Sequence, residues 1–243
     1  MGTWTKRQKR RQATAKRRTP EVSLKRAARL DRKKYREAEQ LFLAEGASLV
    51  LESKKPPLRL FTAAEDVRRL STLTTPTGPV GVFPFLDVGV EDLFSTRERL
   101  VLLHGVQDPG NVGTVIRSAH AFEAGVALSK GCADLYNPKT VRATMGSIFH
   151  APVARELDSL SFLAQARDAG FSTASAVAGK GSAPRTLPRD RLVIVVGAEG
   201  AGLPEEVVAE SRMRVTIPSR AASLNAAIAA SILLYEAYTR VLP

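Results

Sequence analysis

From residue 100 onward, short apolar runs alternate with stretches of helical periodicity. Residues 100–106 and 192–197 are the most apolar runs, and 126–128, 152–155, 171–177 and 214–217 read as further strands. Between them, 111–122, 138–145, 161–169 and 204–211 read as helices, and 223–240 as a long final one. Strands that are apolar throughout, rather than on alternate positions, are buried on both faces. The pattern therefore predicts an α/β domain, a parallel sheet sandwiched between helices. In the last helix, Leu224, Ile228, Ile232 and Tyr235 recur at helical spacing and predict a core stripe. Ala222, Ala226, Ala227, Ala229 and Ala230 predict close packing.

The first hundred residues are organised differently. Residues 1–20 are poor in apolar side chains, dense in positive charge and closed by Pro20, and they predict a leader that is disordered until bound. Residues 21–86 read as a small mixed α+β unit: a basic helix over 22–40, a strand at 41–43, a helix at 47–52 and a strand at 80–85. Pro56-Pro57 and Thr74-Thr75-Pro76-Thr77-Gly78-Pro79 supply the breaks, and 87–99 reads as a linker.

Charge sharpens this division. The 243 residues carry a net charge of +12, and residues 1–40 hold 15 basic side chains against 4 acidic ones, so the remainder is almost neutral. A cationic leader on a neutral globule points to a polyanionic partner. The single cysteine, Cys132, excludes an intramolecular disulfide framework, and the scattered His104, His120 and His150 have no metal-ligand spacing. No metal is predicted. No apolar run approaches the roughly 20 residues of a membrane span, and the start lacks the apolar stretch of a secretory signal. These features predict a cytoplasmic protein; an organelle-targeting role for the leader is the weaker reading, since it lacks serine and an apolar face.

In α/β sheets ligands collect beyond the carboxyl ends of strands. After 100–106 comes Gln107-Asp108-Pro109-Gly110-Asn111-Val112-Gly113, in which Asp108-Pro109-Gly110 turns, Asn111 is placed to cap a helix, and Gly113 admits a close neighbour. Arg117 follows in the same helix. After 192–197 comes Gly197-Ala198-Glu199-Gly200-Ala201-Gly202. Its glycine spacing is neither that of a dinucleotide loop nor that of a P-loop, and Glu199 would repel a phosphate, so an uncharged or cationic nucleoside fits better. The third element is Ile217-Pro218-Ser219-Arg220-Ala221-Ala222-Ser223-Leu224-Asn225, with Ser223 predicted to cap the last helix and Asn225 to sit in its first turn.

Together, Asn111 to Ala119, Val196 to Leu203, and Ile217-Pro218 with Ser223-Leu224-Asn225 resemble, in order and spacing, the three motifs of the SpoU/TrmH family of RNA ribose methyltransferases. Asp134-Leu135-Tyr136-Asn137-Pro138-Lys139 and Arg142-Ala143-Thr144-Met145-Gly146 also look like that family. The resemblance covers 100–243. More loosely, Lys33-Lys34-Tyr35-Arg36, Leu41 to Gly46 and Leu73 to Gly78 resemble the family's small RNA-binding unit.

The resemblance implies a deep trefoil knot, a homodimer with each site completed near the partner, S-adenosylmethionine as methyl donor, and a ribose 2′-hydroxyl of RNA as acceptor. Ribosomal RNA is favoured over transfer RNA, and a non-catalytic RNA-binding or assembly protein on the same fold is the alternative from another class. It implies catalytic or substrate-side roles for Arg117, Asn111, Glu199, Ser223 and Asn225. Cofactor contacts fall to Gly197, Gly200, Ile217, Leu224 and Asn225. RNA contacts are expected from Lys6, Arg7, Lys9, Arg10 and Arg11 of the leader, Lys33, Lys34 and Arg36 of the small unit, and Lys139 and Arg142. Methyl transfer requires two reactants held in line and an alkoxide-like oxygen favoured. A guanidinium is a poor base, so Arg117 is assigned to phosphate or the developing oxyanion. This chain departs from the family in three places: a short stretch between Ile217-Pro218 and Ser223, Ala198 where Asn is common, and an abbreviated N-terminal unit, for which the leader is expected to compensate.

Overall fold

A computed structural model describes residues 21–54 and 56–239. The leader's predicted RNA contacts, Lys6, Arg7, Lys9, Arg10 and Arg11, lie outside them.

Six strands form the main sheet: β4 (Arg99–His104), β5 (Gly125–Ser129), β6 (Val153–Leu157), β7 (Ser172–Ala176), β8 (Leu192–Gly197) and β9 (Met213–Val215), in the order β6-β5-β4-β8-β7-β9. Every pairing is parallel. The alternation within a strand decides which layer each side chain meets. Val101, Leu103, Val126, Leu128, Ile194 and Val196 face one core, with Val112, Val115, Ile116 and Ala119 of a helix at Pro109–Ala121 and the small residues of the last helix, Ala226–Thr239. Leu100, Leu102, Ala127, Val193 and Val195 face the other, with Phe162, Leu163 and Ala166 of a helix at Ser159–Asp168 and Val207 of one at Glu205–Glu210. Helices on both faces explain why the central strands β4 and β8 are apolar on both sides.

The small unit holds an antiparallel sheet, β1 (Leu41–Glu45), β2 (Arg59–Phe61) and β3 (Val80–Pro84), in the order β1-β3-β2. Its period of two splits it between partners. Leu41 and Leu43 pack with Val22, Leu30, Val67 and Leu70 of the unit itself, whereas Phe42, Ala44 and Phe83 join the core of the large sheet. Tyr136 closes the junction: its hydroxyl donates to Asp87 Oδ1 at 2.6 Å and accepts from the Asp87 N–H at 2.8 Å, and its ring stacks on Phe85 at 3.8 Å. Burial and the adjoining Asp87 carboxylate push the phenol pKa well up, so it stays a donor.

Several sequence expectations are corrected. The helix expected over 22–40 is three pieces, α1 (Leu24–Ala27), a 3-10 turn (Ala28–Asp31) and α2 (Lys33–Glu39), broken where Arg32 is extended. Arg36, expected on RNA, is buried: its guanidinium bonds to the carbonyls of Leu30 and Asp31 at 2.8 and 2.7 Å and pairs with Asp134. It satisfies the acceptors that the helix break exposes.

A third helix, α3 (Ala47–Leu51), stands where one was expected, but α4 (Ala64–Leu70) and β2 were not foreseen. The segment 87–99 is no plain linker. It contains α5 (Val90–Thr96), whose Leu93 is fully buried, and its end opens β4.

Candidate active site

Number the remaining helices α6 (Pro109–Ala121), α7 (Pro138–Ala143), α8 (Ser159–Asp168), α9 (Glu205–Glu210) and α10 (Ala226–Thr239). Strand order reverses at β4, whose neighbours are β5 and β8, and in such sheets ligands bind beyond the carboxyl ends of the strands. A cleft of about 710 Å³ opens beside this point. Its walls are three loops: 176–179 after β7, 196–202 after β8, and 215–226 between β9 and α10. The volume suits a nucleoside-sized ligand, and the lining is largely backbone and small side chains.

Glycine geometry builds the second wall. Gly200 (φ +80°) and Gly202 (φ +70°) hold left-handed backbone that glycine tolerates best, and no atom stands within 4 Å of where a Cβ would be. Gly197 is the opposite case: its Cβ would lie 2.3 Å from the Gly202 carbonyl and 2.7 Å from Leu203 N. These are backbone atoms and cannot swing aside. Gly197→Ala is therefore expected to spread the loop and weaken binding of the methyl donor that the resemblance implies, S-adenosylmethionine, at least about tenfold, read by calorimetry.

Three polar side chains meet at the mouth of the cleft. Asp108 caps α6, accepting from Asn111 N at 2.9 Å, and that bond, with Lys139 nearby, holds its carboxyl below the usual range. Asp108 thus takes the capping role expected of Asn111. The Asn111 amide is left free and donates to Glu199. Asn225 Nδ2 reaches Glu199 Oε1 at 2.9 Å and Asn111 Oδ1 at 3.1 Å, while Asn225 Oδ1 accepts from the N–H groups of Ala227 and Ile228 at 2.9 and 3.2 Å. Asn225, and not Ser223, caps α10. Ser223 is exposed in the loop ahead of it and lines the cleft with Ile217 and Leu224. Gly113 is confirmed as a close approach: a Cβ there would lie 2.5 Å from Ala143 Cβ, so α7 packs directly on α6.

Arg117 does not join this cluster. It is exposed on α6, with no hydrogen bond or ion pair to any described residue, roughly 120° round and about 9 Å along the helix from Asn111. Beside it, Ser118 Oγ and Ser231 Oγ of α10 are 2.7 Å apart. On α10 the predicted core stripe points outward: Ile228, Ile232 and Tyr235 are 53%, 38% and 55% exposed. The inward face consists of Ala226, Ala227, Ala230, Leu233, Leu234 and Ala237, whose small members let α10 lie against the sheet and α6.

The remaining predicted RNA contacts are partly engaged. Lys33 pairs with Glu156 at 3.2 Å and Lys139 with Asp108 at 3.4 Å, both exposed, whereas the half-buried Arg142 donates to Thr72 at 2.9 Å. Sequence reading missed the wall at 176–179, because Ala176-Val177-Ala178-Gly179 carries no chemistry; only its place after β7 marks it. Among the described residues, no cluster of three or more His, Cys, Asp or Glu side chains is placed to hold a metal, and no helix is long and apolar enough to cross a membrane.

Known proteins resemble this chain over most of its length. The profile of the SpoU rRNA Methylase family matches residues 98–235. The 23S rRNA (guanosine(2553)-2′-O)-methyltransferase RlmP of Bacillus subtilis is 31% identical, over 86% of this chain and 92% of its own. The alignment therefore extends into the small N-terminal unit. Among solved structures, the AdoMet-bound rRNA methyltransferase of Sinorhizobium meliloti superposes with a TM-score of 0.81 at 30% identity, covering 90% of this chain and 95% of that one. The SpoU methyltransferase AviRb of Streptomyces viridochromogenes, in complex with AdoMet, gives 0.76 at 26% identity, covering 89% and 97%.

Proposed function

From the premise that this chain belongs to the SpoU rRNA Methylase family, we propose that it transfers the methyl group of S-adenosylmethionine to a ribose 2′-hydroxyl of ribosomal RNA. The observation that carries the reading is the Asn111–Glu199–Asn225 cluster at the mouth of the glycine-walled cleft. The cleft fits the donor: open left-handed glycines at 200 and 202 leave space against the backbone, and the carboxylate of Glu199 complements a sulfonium cation. Gly197, Gly200, Ile217 and Leu224 would hold it, largely through backbone. When bound it supplies an electrophilic methyl group. The protein's part is to orient the acceptor hydroxyl and favour its deprotonated form, with Arg117 on phosphate or the developing oxyanion and Ser223 at the cleft wall.

Arg117 stands apart from the cluster; its neighbour Ser118 meets Ser231 of α10, the helix that carries the exposed Ile228, Ile232 and Tyr235. This supports a homodimer in which that stripe is covered and Arg117 serves the partner's cleft. A knot is supported by the path of the chain. β9 is an edge strand, yet α10, which follows it, packs on β4, β8 and α6 and against the turn at Pro184–Thr186. Residues 21–86 are read as the RNA-binding unit, 1–20 as a basic arm that adds affinity, and 100–243 as the catalytic domain, working in the cytoplasm without a metal. Lys139 and Arg142 complete the RNA surface.

The test is to incubate the protein with S-adenosylmethionine and ribosomal RNA from cells lacking it, and to map ribose methylation. New 2′-O-methylation at a defined nucleotide is expected. A protein that binds S-adenosylmethionine but methylates no ribosomal RNA overturns the reading, and methylation of transfer RNA alone would redirect it.

A further inference from the structure

Of the five cations between residues 29 and 36, three are neutralised by carboxylates. In the run 32–36, Arg32 pairs with Asp31 at 3.9 Å, Lys33 with Glu156 at 3.2 Å, and Arg36 is buried on Asp134. Arg29 and Lys34 have no carboxylate partner among the described residues. Both converge on one neutral ring. The Arg29 guanidinium carbon lies 3.9 Å from the centroid of Tyr35, and Lys34 Nζ lies 4.9 Å from it. The two cations, Arg29 foremost, also lower the phenol pKa of Tyr35.

Two cations gathered within reach of each other repel, and an exposed cation–π contact offsets only part of that cost. An external anion completes such an arrangement. The ring and the planar guanidinium also offer flat faces, the surface on which an unpaired base stacks. Location supports the match. Glu37 of α2 pairs with Arg155, and Arg36 with Asp134, so α2 lies beside the carboxyl ends of β5 and β6. The proposed cofactor cleft lies beyond the carboxyl ends of β7, β8 and β9 in the same parallel sheet. From β6 to β8 is three strand spacings, about 14 Å. A few nucleotides of extended RNA bridge that distance.

We propose that Arg29, Lys34 and Tyr35 form a platform for a single-stranded stretch of the RNA substrate, the two cations taking phosphates and the aromatic–guanidinium pair taking a base. This rests on the reading of the protein as an RNA methyltransferase. It adds Arg29 and Tyr35 to the contacts expected from Lys34, and removes Arg36 from them.

The test uses the full-length chain and a fluorescein-labelled unstructured RNA of about 20 nucleotides. Arg29→Gln with Lys34→Gln is expected to weaken binding about tenfold and to flatten the slope of log affinity against log salt by about 1.4, the release expected for two single-strand phosphates. Tyr35→Leu should weaken binding at least about fivefold while Tyr35→Phe stays near wild type, since stacking needs the ring and not the hydroxyl. S-adenosylmethionine affinity, measured by calorimetry, should be unchanged in all of them. Unchanged RNA affinity and salt slope in the double variant overturn the platform. If that variant fails to fold, photocrosslinking of 4-thiouridine RNA to the wild-type chain decides instead: a crosslinked peptide containing Tyr35 supports it, and none overturns it. Wild type that binds RNA through this peptide yet methylates none defeats the enzymatic reading and leaves the platform standing.

Discussion

Asn225→Asp is expected to leave the fold intact and to lower kcat/KM for RNA methylation by about 10²–10³-fold, the scale on which a lost positioning or oxyanion donor acts. The two halves of that expectation come from the two ends of one side chain. The Asn225 oxygen caps α10 by accepting from the N–H groups of Ala227 and Ile228, and an aspartate oxygen does this equally well. The Asn225 nitrogen donates to Glu199 at 2.9 Å and to Asn111 at 3.1 Å. In the aspartate variant that nitrogen becomes a second oxygen facing a carboxylate. The pair repels, or takes up a proton to share, so activity should partly recover as pH is lowered toward about 5. A thermal melt and a pH series of initial rates check both halves. Asn225→Ala, by contrast, loses the cap as well and should also cost about 1 kcal/mol of stability. Near-normal turnover of the aspartate variant at neutral pH would remove the cluster from the reaction centre.

Arg36→Ala is expected to destabilise the protein by about 3–5 kcal/mol, the cost of leaving one partner of a buried ion pair alone. Its guanidinium holds two backbone carbonyls, Leu30 and Asp31, and the Asp134 carboxylate across the junction between the two sheets. Removing it strands all three acceptors. For a chain of this size the loss corresponds to a fall in Tm of roughly 6–20 °C. The corresponding fall for Lys34→Ala, on the exposed side of the same helix, should be within about 2 °C. An unchanged Tm for Arg36→Ala together with weakened RNA binding would return Arg36 to the surface role that its place in a basic run suggests.

How much could be read in advance depended on whether a feature leaves a one-dimensional trace. Strands β4, β5 and β8 do: burial on both faces leaves polar residues only at their ends, and their boundaries in sequence and structure nearly coincide. The loops that follow them are legible for the same reason, because glycine at 197, 200 and 202 and the polar pair Asn111 and Glu199 stand out against that background. β2 leaves no trace, being three residues of which two are exposed. α4 leaves a faint one: acidic Glu65 and Asp66 in its first turn and Arg68 and Arg69 in its last match the helix dipole.

By itself, then, the sequence determined the parallel α/β sheet, the three loops at its carboxyl edge and the residue types that meet there, because hydrophobic period and glycine spacing are local properties of a chain. Only the tertiary structure decided orientation. Helical spacing shows that Ile228, Ile232 and Tyr235 share a face, but that face turns outward because the alanine face fits closer to the sheet and α6. Basic residues 32–36 look alike in sequence, yet Arg36 turns inward to satisfy carbonyls freed by a helix break, while Lys34 joins Arg29 on Tyr35. Which side of an element meets the core, and which cation finds a carboxylate, depends on neighbours far away along the chain.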